Sequence, residues 1–335
     1  MALVANVLLQ LLTQYGLNFW NRDFFDAIGR RDQEQLWTEA LRFVPLAGAS
    51  IALTVSSVWL RMTLQRSWRE WLSSQLYDYW VEDDRYVRLR FMTGDYEGPE
   101  YRIAEDVKVA TDLPIDLTIG LFQSLLTIVV FMGVLWTVGA SLPVDMNDLA
   151  FVIPGYLVIA VIAYSALLAL GIWLTASQLT RVLEENKRAE AELRAIGGHV
   201  RESGEGKLLW DRKRSPRHAI GAVLKAVIAI WRIYCWQLMR MTLITYTSML
   251  ITPVIGLLLC LPKYLAETMT LGEVVQASAA FVVVQGGFNW FTDNYSKLAE
   301  WASSANRVAS LLLALDEVGS SGADRADFST RMRES

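Results

Sequence analysis

Six long apolar segments most constrain how this chain can fold. They cover residues 2–19, 43–60, 115–138, 151–174, 242–261 and 274–291. Each has 18 to 24 residues, which matches the ~20 that an α-helix needs to cross a ~30 Å hydrocarbon core. None alternates with period two as a barrel strand does, and only helices and closed barrels satisfy their backbone hydrogen bonds in lipid. The sequence therefore predicts an all-α membrane protein with six transmembrane helices and excludes a soluble enzyme.

Basic residues are unevenly distributed among the loops that connect these segments. Of the 31 Lys and Arg residues, 26 lie between segments two and three, between segments four and five, or after segment six. The positive-inside bias assigns such loops to the cytoplasm. We therefore expect both termini and two long loops to be cytoplasmic.

The two long loops, residues 61–114 and 175–241, both show helical periodicity. In the first loop, apolar side chains recur every three or four residues at Leu64, Trp68, Leu72, Leu76 and Tyr79. This spacing predicts that the second membrane helix continues ~30 Å or more beyond the bilayer. The sequence therefore predicts two long cytoplasmic helical loops, which turn at polar stretches near residues 97–102 and 201–209.

The first polar stretch, residues 97–107, has the sequence EGPEYRIAEDV. Gly98 permits a sharp turn, and Pro99 favours the first turn of a helix. Arg102, Glu105 and Asp106 are spaced to lie on exposed faces. Taken alone, these residues predict only a capped surface helix.

Histidines and cysteines provide no sign of a metal centre or a disulfide framework. His199 and His218 lie in polar, charged segments, and we assign no ligand role to either. Cys235 and Cys260 lie in or beside apolar runs without C-x-x-C spacing. We therefore interpret both cysteines as packing residues.

Two stretches resemble nucleotide-binding motifs, but neither is complete. Before Gly206 and Lys207, Arg201 stands where a phosphate loop needs its first glycine, and Leu208 follows where Ser or Thr is needed. The sequence LLLALDE at residues 311–317 resembles a Walker B strand. Without a phosphate loop upstream, it is better explained as the end of an amphipathic helix that begins near Asn294. No catalytic residue is predicted.

The six-segment layout and four local motifs resemble the SbmA/BacA-like family, in the branch named ABC transporter ATP-binding protein/permease. The motifs are WNRDFFDAIGRRD at residues 20–32, EGPEYRIAEDV at 97–107, VRESGEGKLLW at 200–210 and WFTDNYSKLAEWASSANRV at 290–308. They occur in the expected order across nearly the whole chain. Two of them depart in detail, because the family commonly has Asn-Pro-Asp-Gln-Arg at 98–102 and Arg-Glu-Asn-Ala-Glu at 201–205.

The resemblance implies an ABC exporter-type membrane domain over residues 1–316, most simply a homodimer, and a flexible tail or linker over 317–335. It also implies a nucleotide-binding domain outside this chain, through which ATP and magnesium would act. We therefore expect the membrane subunit of an ATP-driven transporter in a bacterial inner membrane. Peptides or other amphipathic or hydrophilic solutes are the expected substrates.

The resemblance also assigns roles to polar residues. The two polar turns are expected to be coupling helices that contact the nucleotide-binding domain through Glu100, Arg102, Glu105, Arg201 and Glu202. Their alternative explanation is as solvated loop ends. Polar residues in segments five and six are candidates for the translocation path, namely Thr245, Tyr246, Gln276, Gln285 and Asn289. The alternative for each is a hydrogen bond between packed helices.

Two other functions remain open at the level of sequence. A proton-coupled peptide uptake permease of the SbmA/BacA type would place an acidic residue in a membrane cavity. The apolar segments hold only Asp116, at an edge, while Glu267 and Glu273 lie in the outer loop, which disfavours this function. The other alternative is a non-transporting membrane scaffold or remnant.

Overall fold

The chain folds into long helices and one β-hairpin. The computed structural model describes residues 1–89, 99–146, 149–205 and 216–334. The long helices are α1 (Ala2–Arg30), α2 (Gln33–Val81), α5 (Val107–Gly139), α6 (Tyr156–Glu205), α7 (Pro216–Leu265) and α8 (Leu271–Glu334). Shorter elements are a 3₁₀ turn (Glu82–Asp84), α3 (Arg85–Arg88), α4 (Pro99–Tyr101) and a π-helical turn (Arg102–Asp106). The predicted all-α membrane fold is confirmed.

Five of these helical regions are long and apolar enough to cross a membrane. Among the described residues they are Gln33–Arg88, Pro99–Gly139, Tyr156–Thr175, Ile220–Leu265 and Leu271–Gly319. Helix α1 is not among them, because an amide side chain at every fourth position from residue 6 to residue 18 lowers its hydropathy. The sixth span, predicted over residues 2–19, therefore stays a prediction.

The predicted continuation of the membrane helices into the two long loops is confirmed as helix. Helix α2 has 49 residues, and α6 and α7 have 50 each, so each is about 75 Å long at ~1.5 Å per residue. The turn predicted at residues 201–209 begins too early, because α6 remains helical through Glu205. Residues 206–209 lie outside the described part of the chain.

A two-stranded antiparallel hairpin joins α5 to α6. Strand β1 (Ser141–Met146) pairs with β2 (Leu149–Pro154), and Ser141 lies opposite Pro154. The sequence predicts that the fourth membrane helix begins at residue 151. This start is wrong, because residues 151–154 complete β2 and the helix begins at Tyr156. Gly155 makes the change of direction with φ 61°, and its N–H donates to the carbonyl of Ala140 at 2.8 Å.

Two apolar cores hold the long helices together, and α5 and α8 contribute to both. The first core lies between α5, α6, α7 and α8 around Phe131, Leu157 and Phe281. The second core lies between the end of α2, residues 103–107 and the later part of α8. Cys260 is buried in the first core, as predicted, whereas Cys235 is exposed on α7, so the packing interpretation is wrong for Cys235.

Helix α8 runs for 64 residues as one element. The LLLALDE stretch lies inside it, with Leu311 and Leu315 buried and Asp316 exposed. The helical interpretation of this stretch is confirmed, and no Walker B strand forms there. The backbone is helical through Glu334 across much of the expected tail, and the domain boundary at residue 316 stays a prediction.

Candidate functional site

The polar segment that begins at Pro99 packs against α8. Its apolar side chains Ile103 and Val107 are buried, and they belong to the second core together with Leu76 of α2 and with Leu311 and Leu315 of α8. Burying such side chains stabilises the contact by roughly 1.5–3 kcal/mol each. The segment is therefore fixed to the later part of α8.

Two charged residues of this segment face α8. Asp106 accepts hydrogen bonds from Nε and Nη2 of Arg307 at 2.8 and 2.5 Å. Arg102 donates from Nη1 to Oγ of Ser310 at 3.2 Å. The prediction that Arg102 and Asp106 lie on exposed faces is wrong, because both are buried against partners about 200 positions away along the chain.

The opposite side of the segment is open. Glu105 is exposed, as predicted, Glu100 is exposed too, and Tyr101 is 65% exposed between them. The π-helical turn at Arg102–Asp106 is a local feature that is frequent at functional sites. Sequence reasoning missed Tyr101, although an aromatic residue flanked by charges in a polar turn is a usable signal for a contact point.

The second proposed coupling turn is only partly described. Arg201 and Glu202 lie in the last turns of α6, and the structure describes their backbone but not their side chains. Whether they join Glu100 and Glu105 in one contact stays a prediction.

The five candidate translocation residues are not gathered at one place. Thr245 and Tyr246 are exposed on α7, and Oγ1 of Thr245 donates a hydrogen bond to the backbone carbonyl of Met241 in the same helix. Gln276 and Gln285 are buried in α8, and Asn289 is half-buried. In this conformation Gln276 and Gln285 are packed between helices, and their role in transport stays a prediction.

Sequence reasoning missed a row of amide side chains on α1. Asn6, Gln10, Gln14 and Asn18 follow one another at intervals of four residues, which places them on one helix face. Asn6 donates to Ser56 at 2.6 Å, Gln10 to the carbonyl of Leu53 at 3.0 Å and Asn18 to the carbonyl of Gln276 at 3.2 Å. The row therefore turns toward α2 and α8, and its four-residue period was the available signal.

A cavity of about 280 Å³ lies beside this row, between α1, α5 and α8. Its polar lining includes Gln14, Gln123, Ser124, Thr127 and Trp290. The two walls contributed by α5 and α8 are joined where Oγ of Ser124 donates to the carbonyl of Gly287 at 3.1 Å. All lining residues fall within the predicted spans, and a location of the cavity at membrane depth stays a prediction.

Two of the three acidic residues considered for proton coupling, Asp116 and Glu273, are engaged in local contacts. Asp116 accepts from Nε2 of Gln65 at 3.0 Å and lies 3.4 Å from Nη1 of Arg61. Glu273 accepts from the backbone N–H of Thr270 at 2.9 Å at the start of α8, which is a capping interaction. Neither lines the cavity, which further disfavours the proton-coupled alternative. Within the described ranges, no group of three His, Cys, Asp or Glu residues is placed to hold a metal ion.

Comparison with known families places the chain among membrane transport proteins. Residues 1–265 match the family described as ABC transporter transmembrane region 2. This match covers most of the chain and includes α1 to α7, and thus the polar segment at residues 99–107.

Several curated proteins are similar over the same region. The inner membrane ABC transporter ATP-binding protein YddA of Escherichia coli is 26% identical over 317 residues, which cover 91% of this chain and 55% of that protein. An ABC transporter ATP-binding protein of Synechocystis is 26% identical over 318 residues, covering 91% and 45%. ABC transporter D family member 2, chloroplastic, of Arabidopsis thaliana is 21% identical over 123 residues, covering 37% and 17%. The chain spans about half the length of the first two.

Proposed function

Because the chain belongs to the ABC transporter transmembrane region 2 family, and so forms the membrane region of an ABC transporter, we propose that it couples ATP hydrolysis to solute movement. The ATP would be bound by a nucleotide-binding domain outside this sequence. The segment at residues 99–107 would be the contact through which that domain acts on the membrane helices.

One observation carries this proposal. The segment has one face fixed to α8 through the second core and the Asp106–Arg307 pair, and the other face open with Tyr101, Glu100 and Glu105. Such an arrangement suits a segment that transmits motion from a partner domain to the membrane helices. A partner that moves the open face must also move α8, because buried apolar side chains and an ion pair with a buried carboxylate resist separation.

The arrangement also divides the roles of the predicted coupling residues. We propose that Glu100, Tyr101 and Glu105 contact the nucleotide-binding domain, since their side chains are accessible. Arg102 and Asp106 instead hold the segment on α8. Aromatic side chains at the centre of an interface commonly contribute the largest share of binding energy, so Tyr101 is the first residue to test.

Further parts of the proposal follow from the motif resemblance and charge distribution. The four motifs support the SbmA/BacA-like branch, with residues 1–316 as the membrane domain of a homodimer. The 26 basic residues in the two long loops and after segment six support cytoplasmic termini, and the family resemblance supports a bacterial inner membrane. Peptides or other amphipathic or hydrophilic solutes are the proposed substrates.

The test measures ATP hydrolysis by an isolated nucleotide-binding domain of the Escherichia coli relative, with and without this chain in nanodiscs. We expect the chain to stimulate hydrolysis. Tyr101→Ala should raise the chain concentration that gives half-maximal stimulation about 30-fold or more, as for an interface hot spot of ~2 kcal/mol or more.

The matched control is Tyr264→Ala, which removes a partly exposed tyrosine at the C-terminal end of α7, away from the segment at residues 99–107. It should leave the stimulation unchanged. Absence of stimulation by the unsubstituted chain, or equal effects of the two tyrosine substitutions, would contradict the proposed coupling contact.

A further inference from the structure

We propose that the cavity between α1, α5 and α8 is a binding site for an uncharged ligand group that both donates and accepts hydrogen bonds. This inference deepens the proposed transport function, on which it rests, by giving the chemical class of ligand that one protomer accepts at membrane depth. It concerns a cavity within a single chain.

The hydrogen-bond donors and acceptors that line the cavity are all uncharged. Gln14 and Gln123 contribute amides, Ser124 and Thr127 contribute hydroxyls, and Trp290 contributes an indole ring. The Ser124 hydroxyl already donates to the carbonyl of Gly287, so it offers a ligand its acceptor capacity. The contact between Nε2 of Gln123 and Oε1 of Gln10 is 3.5 Å long, at the outer limit for a hydrogen bond. An amide held this loosely remains available to a ligand, and an apolar ligand would leave it poorly satisfied.

No ionisable side chain is among the described residues that line the cavity. A charged ligand group would lose its hydration there without gaining a counter-charge, which is far more costly than burying a neutral polar group. Asp116 and Glu273, two of the acidic residues considered for proton coupling, are held elsewhere by Arg61, Gln65 and Thr270. The site therefore selects against both cations and anions.

The polar surface continues beyond the cavity along α1. Asn18 lies one helical turn after the lining residue Gln14, and it is 4% exposed. Its Oδ1 and both amide atoms of the neighbouring Gln276 have no hydrogen-bond partner among the described residues. Buried polar atoms of this kind normally find a partner. Neither residue lines the cavity, so these amides extend the polar character of the α1–α8 interface next to it.

The size and openness of the cavity fit a small ligand group. Its volume of about 280 Å³ is near the lower end of small-molecule sites, which hold about 300–1,000 Å³. A Cβ atom added at the lining residue Gly286 would meet no atom within 4 Å. A larger side chain at Gly286 would therefore extend into free space instead of displacing a helix.

The test compares three isosteric probes, namely neutral acetamide, acetate and acetamidinium. The full chain in nanodiscs carries 5-fluorotryptophan, and the Trp290 ¹⁹F resonance is assigned from its loss in Trp290→Phe. We expect acetamide to shift this resonance saturably, and the two ions to bind at least about tenfold more weakly because their charge is unpaired in the cavity.

Substitutions at glycine test whether the shift arises in the cavity. Gly286→Leu is expected to weaken acetamide binding at least about tenfold, and Gly286→Ala to weaken it less, because both fill free space. Gly133→Leu is the matched control, since Gly133 is also exposed, lies in α5 and has no atom within 4 Å of an added Cβ. The remaining tryptophan resonances report whether each variant is folded.

Three results would overturn the inference: no saturable shift with acetamide, an equal response to either ion, or a full response in folded Gly286→Leu and Gly286→Ala. The measurement contains no ATP and no partner domain. A missing acetamide response together with intact ATPase stimulation would therefore overturn the cavity site alone, and a saturable response without stimulation would overturn the coupling proposal alone.

Discussion

At the scale of single residues, the Asp106–Arg307 pair is the most informative contact. Asp106 is 4% exposed in its side chain, whereas Arg307 is 45% exposed. Arg307 also donates to Ser303 and Ser304 of its own helix at 2.6 and 2.9 Å, so its guanidinium is fixed in orientation before it meets the carboxylate. Such a positioned pair can stabilise a contact that an ordinary surface ion pair would not.

We predict that Arg307→Ala lowers the free energy of unfolding by about 1–3 kcal/mol, because it leaves the buried Asp106 carboxylate without its charged donor. The measurement is SDS-induced unfolding followed by circular dichroism. Arg188→Ala, which removes an exposed arginine from α6, serves as the control and should change stability by less than about 0.5 kcal/mol. Equal effects of the two substitutions would refute this role of the pair.

A second residue-scale prediction concerns Gly272 at the start of α8. A Cβ atom there would lie 2.1 Å from the backbone carbonyl oxygen of Arg22, and backbone cannot rotate away as a side chain can. Gly272→Ala should therefore cost about 1–3 kcal/mol by separating α1 from α8.

The control for Gly272 is Gly171→Ala in α6, where an added Cβ meets nothing within 4 Å. Replacing an unhindered helical glycine by alanine is expected to stabilise the helix by roughly 0.5–1 kcal/mol. Unfolding in SDS should move in opposite directions for the two alanine variants, and movement in the same direction would show that the close approach to Arg22 is unimportant.

At the scale of elements, α1 and α8 are joined by a helix cap that crosses between them. Asp26, in the last turns of α1, accepts from the backbone N–H of Gly272 at 2.8 Å and from Oγ1 of Thr270 at 3.2 Å. The first N–H groups of a helix have no partner within the helix. A carboxylate from another helix therefore both caps α8 and fixes the end of α1 to it.

We predict that Asp26→Ala destabilises the fold by about 1 kcal/mol, the usual cost of losing a cap, and increases hydrogen exchange at the start of α8. Asp23→Ala is the matched control, because Asp23 is a neighbouring carboxylate that pairs with the adjacent Arg22. Hydrogen exchange followed by mass spectrometry should separate the two variants. Unchanged exchange near Gly272 in Asp26→Ala would contradict the cap.

At the scale of the whole molecule, the arrangement across the membrane is open to a direct test. Ser141 in the hairpin and Glu192 on α6 are both exposed, and the apolar part of α6 separates them. In a chain with Cys235 and Cys260 replaced by serine, we predict that Ser141→Cys reacts with an impermeant maleimide from outside the cell and Glu192→Cys only after permeabilisation. Labelling of both from the same side would refute the proposed orientation.

Much of this architecture could be predicted from sequence, because the bilayer imposes a length and a hydropathy on each crossing segment. Local patterns were insufficient elsewhere. The apolar residues 151–154 fitted a helix and a strand equally well, and their pairing with residues 141–144 decided the outcome. The burial of Arg102 and Asp106 depends on Ser310 and Arg307, and no local pattern contains such distant partners.

The unbroken course of α8 has a mechanical consequence. Gly272 and Arg307 are 35 residues apart on this one helix, a distance of about 52 Å along its axis at ~1.5 Å per residue. A rigid rod of that length is a lever arm. Tilting it by about 6° around its Gly272 end would displace Arg307 by about 5 Å, close to one helical turn. A small change in the tilt of α8 beside the Asp26 cap would therefore produce a large displacement of the segment that carries Tyr101. Conversely, a large displacement of Tyr101 would produce only a small movement of α8 beside the amide-lined cavity.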